Sequence, residues 1–168
     1  GNVVLDSNGG LTIQDGVGVG SGSQLWTHIR FGDIVQGCRF LGVKSMTIGH
    51  DAWFVGHCLV SPVQVAPRSM AFLGAVITRD MEDNRVYAGS PAVDITDKVG
   101  PQFVEIRHEE KVRRFAEMLR EFYVTHPQFE GWVPQVNLAR RTYRKTLSEA
   151  EMAFFKASVP LIKLTPEK

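Results

Sequence analysis

The chain has 168 residues, 43% of them hydrophobic, with 19 Lys and Arg against 18 Asp and Glu. This is the size of one domain, with or without an appendage, and a net charge of +1 argues against a general nucleic-acid binder and gives no membrane-surface cue. No apolar run reaches the roughly 20 residues of a membrane span, and no signal-peptide pattern is present. Cys38 and Cys58 are too few for a disulfide framework, so a reducing cytoplasm is expected. The sequence opens Gly1-Asn2-Val3 without a Met and reads as trimmed or fragmentary.

In chain order, the first pattern is a step of six. Ile13, Val19 and Leu25 are followed, four residues on, by Val17, Ser23 and Ile29. Neither strand alternation nor the 3.6-residue helical period produces such a step. Residues 30–47 carry no clean hexad and predict an arm thrown out from one corner, the kind of loop that carries function. The step then resumes with Ile48, Phe54, Val60, Val65, Ala71 and Ile77; one interval, Val60 to Val65, is a residue short. Small residues again follow most anchors: Ala52, Cys58, Ser69 and Ala75. The hexads predict a parallel β-helix, with three hexads closing one triangular coil of about 18 residues. Aliphatic anchors would stack inside and small residues would fit where a corner narrows.

The stretch AFLGAVITRDMEDNRVYAGSPA, residues 71–92, is similar to the close of the β-helix in hexapeptide-repeat acyltransferases. Gly74, Val76, Thr78, Asp80, Asn84, Val86, Tyr87, Ala88, Gly89, Pro91 and Ala92 match. TIGHDAWFVG resembles a second stretch of that family, with Trp53 in its Trp position. The resemblance covers about residues 3–95. It implies a mainly β chain wound as a left-handed parallel β-helix. It also implies a homotrimer with active sites between adjacent prisms. The family's members mostly move an acetyl group from acetyl-CoA to a hydroxyl, less often an amine, of a sugar or small molecule.

In the sugar O-acetyltransferases of this family one histidine is the general base, in a Thr-x-His-like context before an extruded loop. QLWTHIRFG places His28 there: Leu25 is the last clean anchor, and the arm begins just after His28. Imidazole, with an unperturbed pKa of about 6.5, suits the role of accepting the acceptor hydroxyl's proton. The oxygen then attacks the thioester carbonyl, backbone N–H groups stabilise the oxyanion, and no covalent enzyme intermediate is needed. Asp6 and Asp33 are the candidates to orient the ring, although each reads more readily as a surface carboxylate. For the donor, the motif match points to Gly74, Ala75, Thr78 and Arg79, with Trp53 as a wall of the groove. Arg79 stands where the family has a Lys near the nucleotide phosphates. Two departures are the short Val60–Val65 step and Ala71-Phe72 in place of Ile-Gly, where Phe72 would narrow the donor channel.

His50 and His57 raise a second reading. The same fold includes the γ-class carbonic anhydrases, whose zinc is held by three histidines from two subunits. Gly56-His57 resembles part of that pattern, and three imidazoles plus water suit zinc. The position five after His57 is Pro62, so a ligand is missing. No metal site is therefore expected; His50 reads as an exposed turn residue and His57 as a groove residue. A non-catalytic β-helix scaffold is the third reading.

After residue 100 the composition changes, which divides the chain into 1–100, the β-helix, and 101–168, a mostly helical extension. EEKVRRFAEMLREFYVTH puts Val112, Phe115, Leu119, Phe122 and Tyr123 on one helical face, ended by Pro127. Residues 128–137 read as a loop. Ser148 with Glu151 forms a capping box before a second short helix, and PLIKLTP reads as a strand. Arg140, Arg141, Arg144 and Lys145 form a basic cluster, either a solvated face or a site for an anionic glycan or CoA phosphate. The expectation is a cytoplasmic, trimeric, acetyl-CoA-dependent O-acetyltransferase with a sugar or small-molecule acceptor, antibiotic acetylation being a close variant.

Overall fold

A hexad leaves room for only two or three extended residues before the next corner, and the strands are accordingly short. The computed structural model describes residues 1–143, 148–158 and 162–166. Residues Gly1–Val104 form one unit and Glu105–Lys168 a second. In the first, β1 (Val4–Leu5), β2 (Leu11–Ile13), β3 (Gly18–Val19) and β4 (Gln24–Leu25) precede β5 (His28–Arg30) and β6 (Leu41–Val43). Then come β7 (Met46–Ile48), β8 (Trp53–Phe54), β9 (Leu59–Val60), β10 (Met70–Ala71), β11 (Val76–Ile77), β12 (Val86–Gly89) and β13 (Ala92–Asp94).

These strands sort into three parallel stacks. The first is β1-β4-β9-β11. The second pairs β2 with β7 and continues through single bridges from Ile48 to Val65 and from Val65 to Met81. The third runs β3-β8-β10-β12, with β13 antiparallel at its edge. Read along the chain, the backbone visits first, second and third stack in rotation. Successive layers keep their anchors in register: Leu25 on Val60, Val60 on Ile77, Val19 on Phe54, Phe54 on Ala71. The one short step coincides with Val65, which makes isolated bridges where its neighbours make strands.

Leu25, Ile48, Phe54, Val60, Val65, Ala71 and Ile77 are buried together with the small corner residues Ala52, Cys58 and Ala75. Fully burying each large side chain contributes about 1.5–3 kcal/mol. Three positions of the hexad pattern depart from it. Ile13 is 40% exposed and Val19 half-buried, because they lie in the terminal layer of their stacks and are covered from one side only. Ile29, expected at a narrowing corner, is 55% exposed. The rhythm stops two residues earlier, at fully buried Thr27, because His28 already starts a hairpin.

That hairpin is the arm. Strands β5 and β6 pair antiparallel, His28 opposite Val43 and Arg30 opposite Leu41. The excursion opens at His28 and closes at Val43; Met46–Ile48 is already a regular strand of the second stack. Its neck is fixed by Lys44 N–H donating to the Thr27 carbonyl at 3.0 Å. Gly9 sits beneath the neck: a Cβ there would lie 2.5 Å from the Thr27 oxygen and 2.6 Å from the Lys44 oxygen, so only glycine lets the first coil approach.

Beyond β13, α1 (Thr96–Val99) closes this unit, with the Thr96 hydroxyl accepting from Val86 N–H at 2.8 Å. The second unit contains α2 (His108–Thr125), a 3-10 turn at Pro127–Phe129, β14 (Val136–Asn137), β15 (Thr142–Tyr143), α3 (Glu149–Ser158) and β16 (Thr165–Pro166). Its core is aromatic: Phe115, Phe122 and Phe154 are buried, with Leu119, Tyr123, Phe129 and Trp132 packed around them. Val112, expected on the same face, is 46% exposed at the first turns of α2, ahead of that cluster. Ser148 and Glu151 exchange the two bonds of a capping box, at 2.7 and 3.2 Å. Arg144 and Lys145 of the basic cluster, and residues 160–161 of PLIKLTP, lie outside the described residues. Among the described residues no helix is long and apolar enough to cross a membrane.

Candidate active site

The corner between the first and second stacks brings together residues from successive coils. Asp6 N–H donates to Leu25 O, Trp26 N–H to Val60 O, and Ser61 N–H to Ile77 O, each at 2.9 Å. Asp6, Trp26, Ser61 and Thr78 therefore occupy successive rungs of one edge, and the hairpin leaves from it at His28.

After Leu25 the side chains alternate: Trp26 is exposed, Thr27 is fully buried, and His28 emerges 25% exposed. Thr27 faces inward onto Asp6. Its backbone N–H donates to Asp6 Oδ2 at 2.7 Å, and its hydroxyl donates to the same oxygen at 2.6 Å. The hydroxyl also accepts from Gly9 N–H at 2.9 Å. Asn8 supplies its backbone N–H (3.2 Å) and its amide (2.7 Å) to Asp6 Oδ1. The His28 Nδ1 lies 2.7 Å from Asp6 Oδ2. Asp6 is thus a buried carboxylate with both oxygens occupied by donors. Burial pushes its carboxyl upward, but hydrogen bonds from the Thr27 hydroxyl, the His28 ring and the Thr27 and Asn8 backbone outweigh that. They hold it well below the usual carboxylate range.

An ionised carboxylate only accepts, so in the neutral ring Nδ1 carries the proton and Nε2 carries the lone pair. The Asn8 amide nitrogen, 3.3 Å from Nδ1, is then a second donor facing a donor. It makes no bond there and serves Asp6 instead. Trp26 stands edge-on to the His28 ring, centroids 6.0 Å apart, with its indole N–H donating to Gln24 Oε1 at 3.1 Å. The arrangement can take a proton at Nε2 and stabilise the resulting imidazolium through Asp6.

Of the two carboxylates considered for orienting His28, Asp6 does so, and its reading as a surface residue is corrected. Asp33 instead accepts from Val35 and Gln36 N–H in the turn at the hairpin tip. The donor candidates separate. Thr78 and Arg79 follow Ile77 on the edge that carries Asp6 and Trp26, both exposed. Gly74 and Ala75 lie on the neighbouring corner, between the third and first stacks; Gly74 is exposed, and Ala75 is buried in the core. Trp53 lies on the outer face of the third stack, its indole against Gly18, and remains half-exposed. Phe72 is half-buried beside Gly74, its N–H bonded to Tyr87 O.

His28, His50 and His57 fall on three different corners. His50 pairs with its neighbour Asp51 between the second and third stacks, Nδ1 to Oδ2 at 3.1 Å. His57 is exposed between the third and first stacks and adopts a left-handed backbone, φ 50°, where the layers on either side use Gly22 and Gly74 at 75° and 72°. Among the described residues no three His, Cys, Asp or Glu side chains converge to hold a metal.

No protein-family sequence profile matches the chain. Among solved structures it is similar to several acetyl- and acyltransferases. One is a hexapeptide-repeat acetyltransferase from Vibrio cholerae, complexed with acetyl coenzyme A: 25% identity, TM-score 0.50, covering 56% of this chain and 52% of that one. A maltose O-acetyltransferase from Clostridium difficile matches at 22% identity and TM-score 0.45, covering 51% and 47%. An N-acyltransferase from Bacillus cereus matches at 13% and TM-score 0.43, covering 67% and 60%. The chain thus spans about half the length of the first two structures it matches.

Proposed function

We propose that this chain is an acyltransferase that moves the acetyl group of acetyl-CoA to a hydroxyl of a sugar or other small molecule, with His28 as general base. In this reading the three stacks form a left-handed β-helix, and the protein works as a cytoplasmic homotrimer. The observation that carries it is the Asp6–His28 pair at the root of the hairpin, 2.7 Å apart. The likeness to a hexapeptide-repeat acetyltransferase holding acetyl coenzyme A supports the choice of donor.

Asp6 holds the Nδ1 proton, so Nε2 accepts the acceptor's proton as its oxygen attacks the thioester carbonyl. The imidazolium formed is stabilised beside a carboxylate already held ionised. When the tetrahedral intermediate collapses, the C–S bond breaks and the imidazolium returns its proton to the departing thiolate. Arg79, exposed and without a side-chain partner among the described residues, would meet the donor's phosphates. Gly74 leaves open space where a side chain would stand. Ala75, with its methyl in the core, would contribute backbone and small size only, and Trp53 would wall the far side.

Calorimetric titration with acetyl-CoA tests the reading. Saturable binding near one site per chain is expected, weakened by Arg79→Ala. A protein that takes up no acetyl-CoA contradicts it.

A further inference from the structure

The hairpin that begins with the proposed base has two faces, and their residues differ in kind. Side chains alternate along a strand, and directly paired residues of antiparallel strands share a face. The register of β5 and β6 therefore puts His28, Val43, Arg30 and Leu41 on one face, and Ile29 with Gly42 on the other. Arg30 is two residues from His28, a separation of about 7 Å along the strand. Its side chain is exposed and, among the described residues, makes no ion pair and no hydrogen bond.

The hairpin itself supplies no carboxylate to that guanidinium. Between His28 and Ser45 the chain has three cations, Arg30, Arg39 and Lys44, and one acid, Asp33. Asp33 is committed to the tip, where it accepts from two backbone N–H groups. Lys44 has a carboxylate at 4.0 Å, Asp80 of the main coil. Arg30 thus shares a face with the base, flanked by the apolar side chains of Val43 and Leu41. An unpaired arginine so placed favours a group with two anionic oxygens, which it can bind through two parallel N–H bonds.

We infer that the acceptor carries an anionic group, a phosphate or a carboxylate, and that Arg30 binds it about one side-chain length from the hydroxyl presented to His28. This rests on the transferase reading above and goes beyond it by naming the acceptor class. Trp26, beside His28, offers an aromatic edge to the acceptor's carbon skeleton.

The test is calorimetric titration of the full chain with three matched probes, a neutral hexose, its 6-phosphate and the corresponding hexuronate, and separately with acetyl-CoA. Wild type, Arg30→Gln and Arg30→Lys are compared. Wild type is expected to bind at least one anionic probe about tenfold or more tighter than the neutral hexose. Arg30→Gln should erase that preference and Arg30→Lys retain part of it, with acetyl-CoA affinity unchanged within about twofold. Equal binding of neutral and anionic probes, or a preference that survives Arg30→Gln, overturns the inference. So does a loss confined to acetyl-CoA in Arg30→Gln, which would assign Arg30 to the nucleotide phosphates. A wild type that binds no acetyl-CoA refutes the transferase reading, and the sugar titrations still decide the role of Arg30.

Discussion

Two corners of the first unit each carry a histidine beside a buried aspartate, and they are built for different ends. His50 and Asp51 are neighbours in sequence, and their contact is a by-product of one turn: Asp51 takes the left-handed backbone, φ 60°, that turns the coil. The His50 ring is half-exposed, and no hairpin leaves the coil at its corner, where Gln102 Nε2 donates to the Asp51 carbonyl at 3.2 Å. Asp6 and His28 are 22 residues apart and meet only because one coil stacks on the next. Asp6 is held there by Thr27 and Asn8, and the chain leaves the corner at His28 as a hairpin. The lesson is that a histidine–carboxylate pair becomes a candidate base through what fixes the carboxylate and what stands in front of the ring. Proximity alone does not distinguish the two corners.

The widest gap between the corners should appear in turnover. His28→Ala is expected to lower acetyl transfer by a hundredfold or more, while His50→Ala stays within about twofold; steady-state CoA release measures both. Equal losses would erase the distinction. Next comes the neck of the arm. Gly9→Ala pushes a methyl into the Thr27 and Lys44 carbonyls and should cost about 1–3 kcal/mol in urea denaturation, with turnover falling as the hairpin root shifts.

A comparable pair of changes at the two corners sharpens the contrast. Thr27→Val removes a buried donor to Asp6 Oδ2 and the acceptor of Gly9 N–H and should cost about 1–3 kcal/mol. Gln14→Ala removes the exposed acceptor of His50 N–H, where water substitutes, and should cost under about 0.5 kcal/mol.

The mildest expectation concerns pH. Asp6 has a depressed value in the native state, so its ionised form stabilises the fold at every pH above the unfolded value, near 4. That stability is lost as pH falls through the native value. The difference in stability between wild type and Asp6→Asn should therefore be constant down to about pH 4 and shrink below it. A difference that holds level to pH 2 would show that Asp6 acts without its charge.

The coil itself was legible because hexad anchors are a burial pattern, and burial is written in residue type. Seven of nine anchors are buried as expected; Ile13 and Val19 are exceptions because periodicity does not tell which layer is terminal. His28 was reached through a resemblance rather than through spacing. Its partner Asp6 is only one of two candidate carboxylates in the sequence, because Leu5's layer lies before the first readable anchor and nothing there shows that Asp6 stacks on Trp26. The hairpin was visible only as an interruption. Its register, which sets Val43 and Leu41 beside His28 and Arg30, depends on pairing across the ten residues 31–40, which carry no fixed period.

The most direct test of the account is the protonation pattern of the His28 ring, read by nitrogen-15 NMR of histidine-labelled protein at a pH where the ring is neutral. The Asp6 contact at Nδ1 predicts the proton on Nδ1 and the lone pair on Nε2, with this preference lost in Asp6→Asn. A neutral ring protonated at Nε2 would leave no base facing the acceptor and would contradict the account.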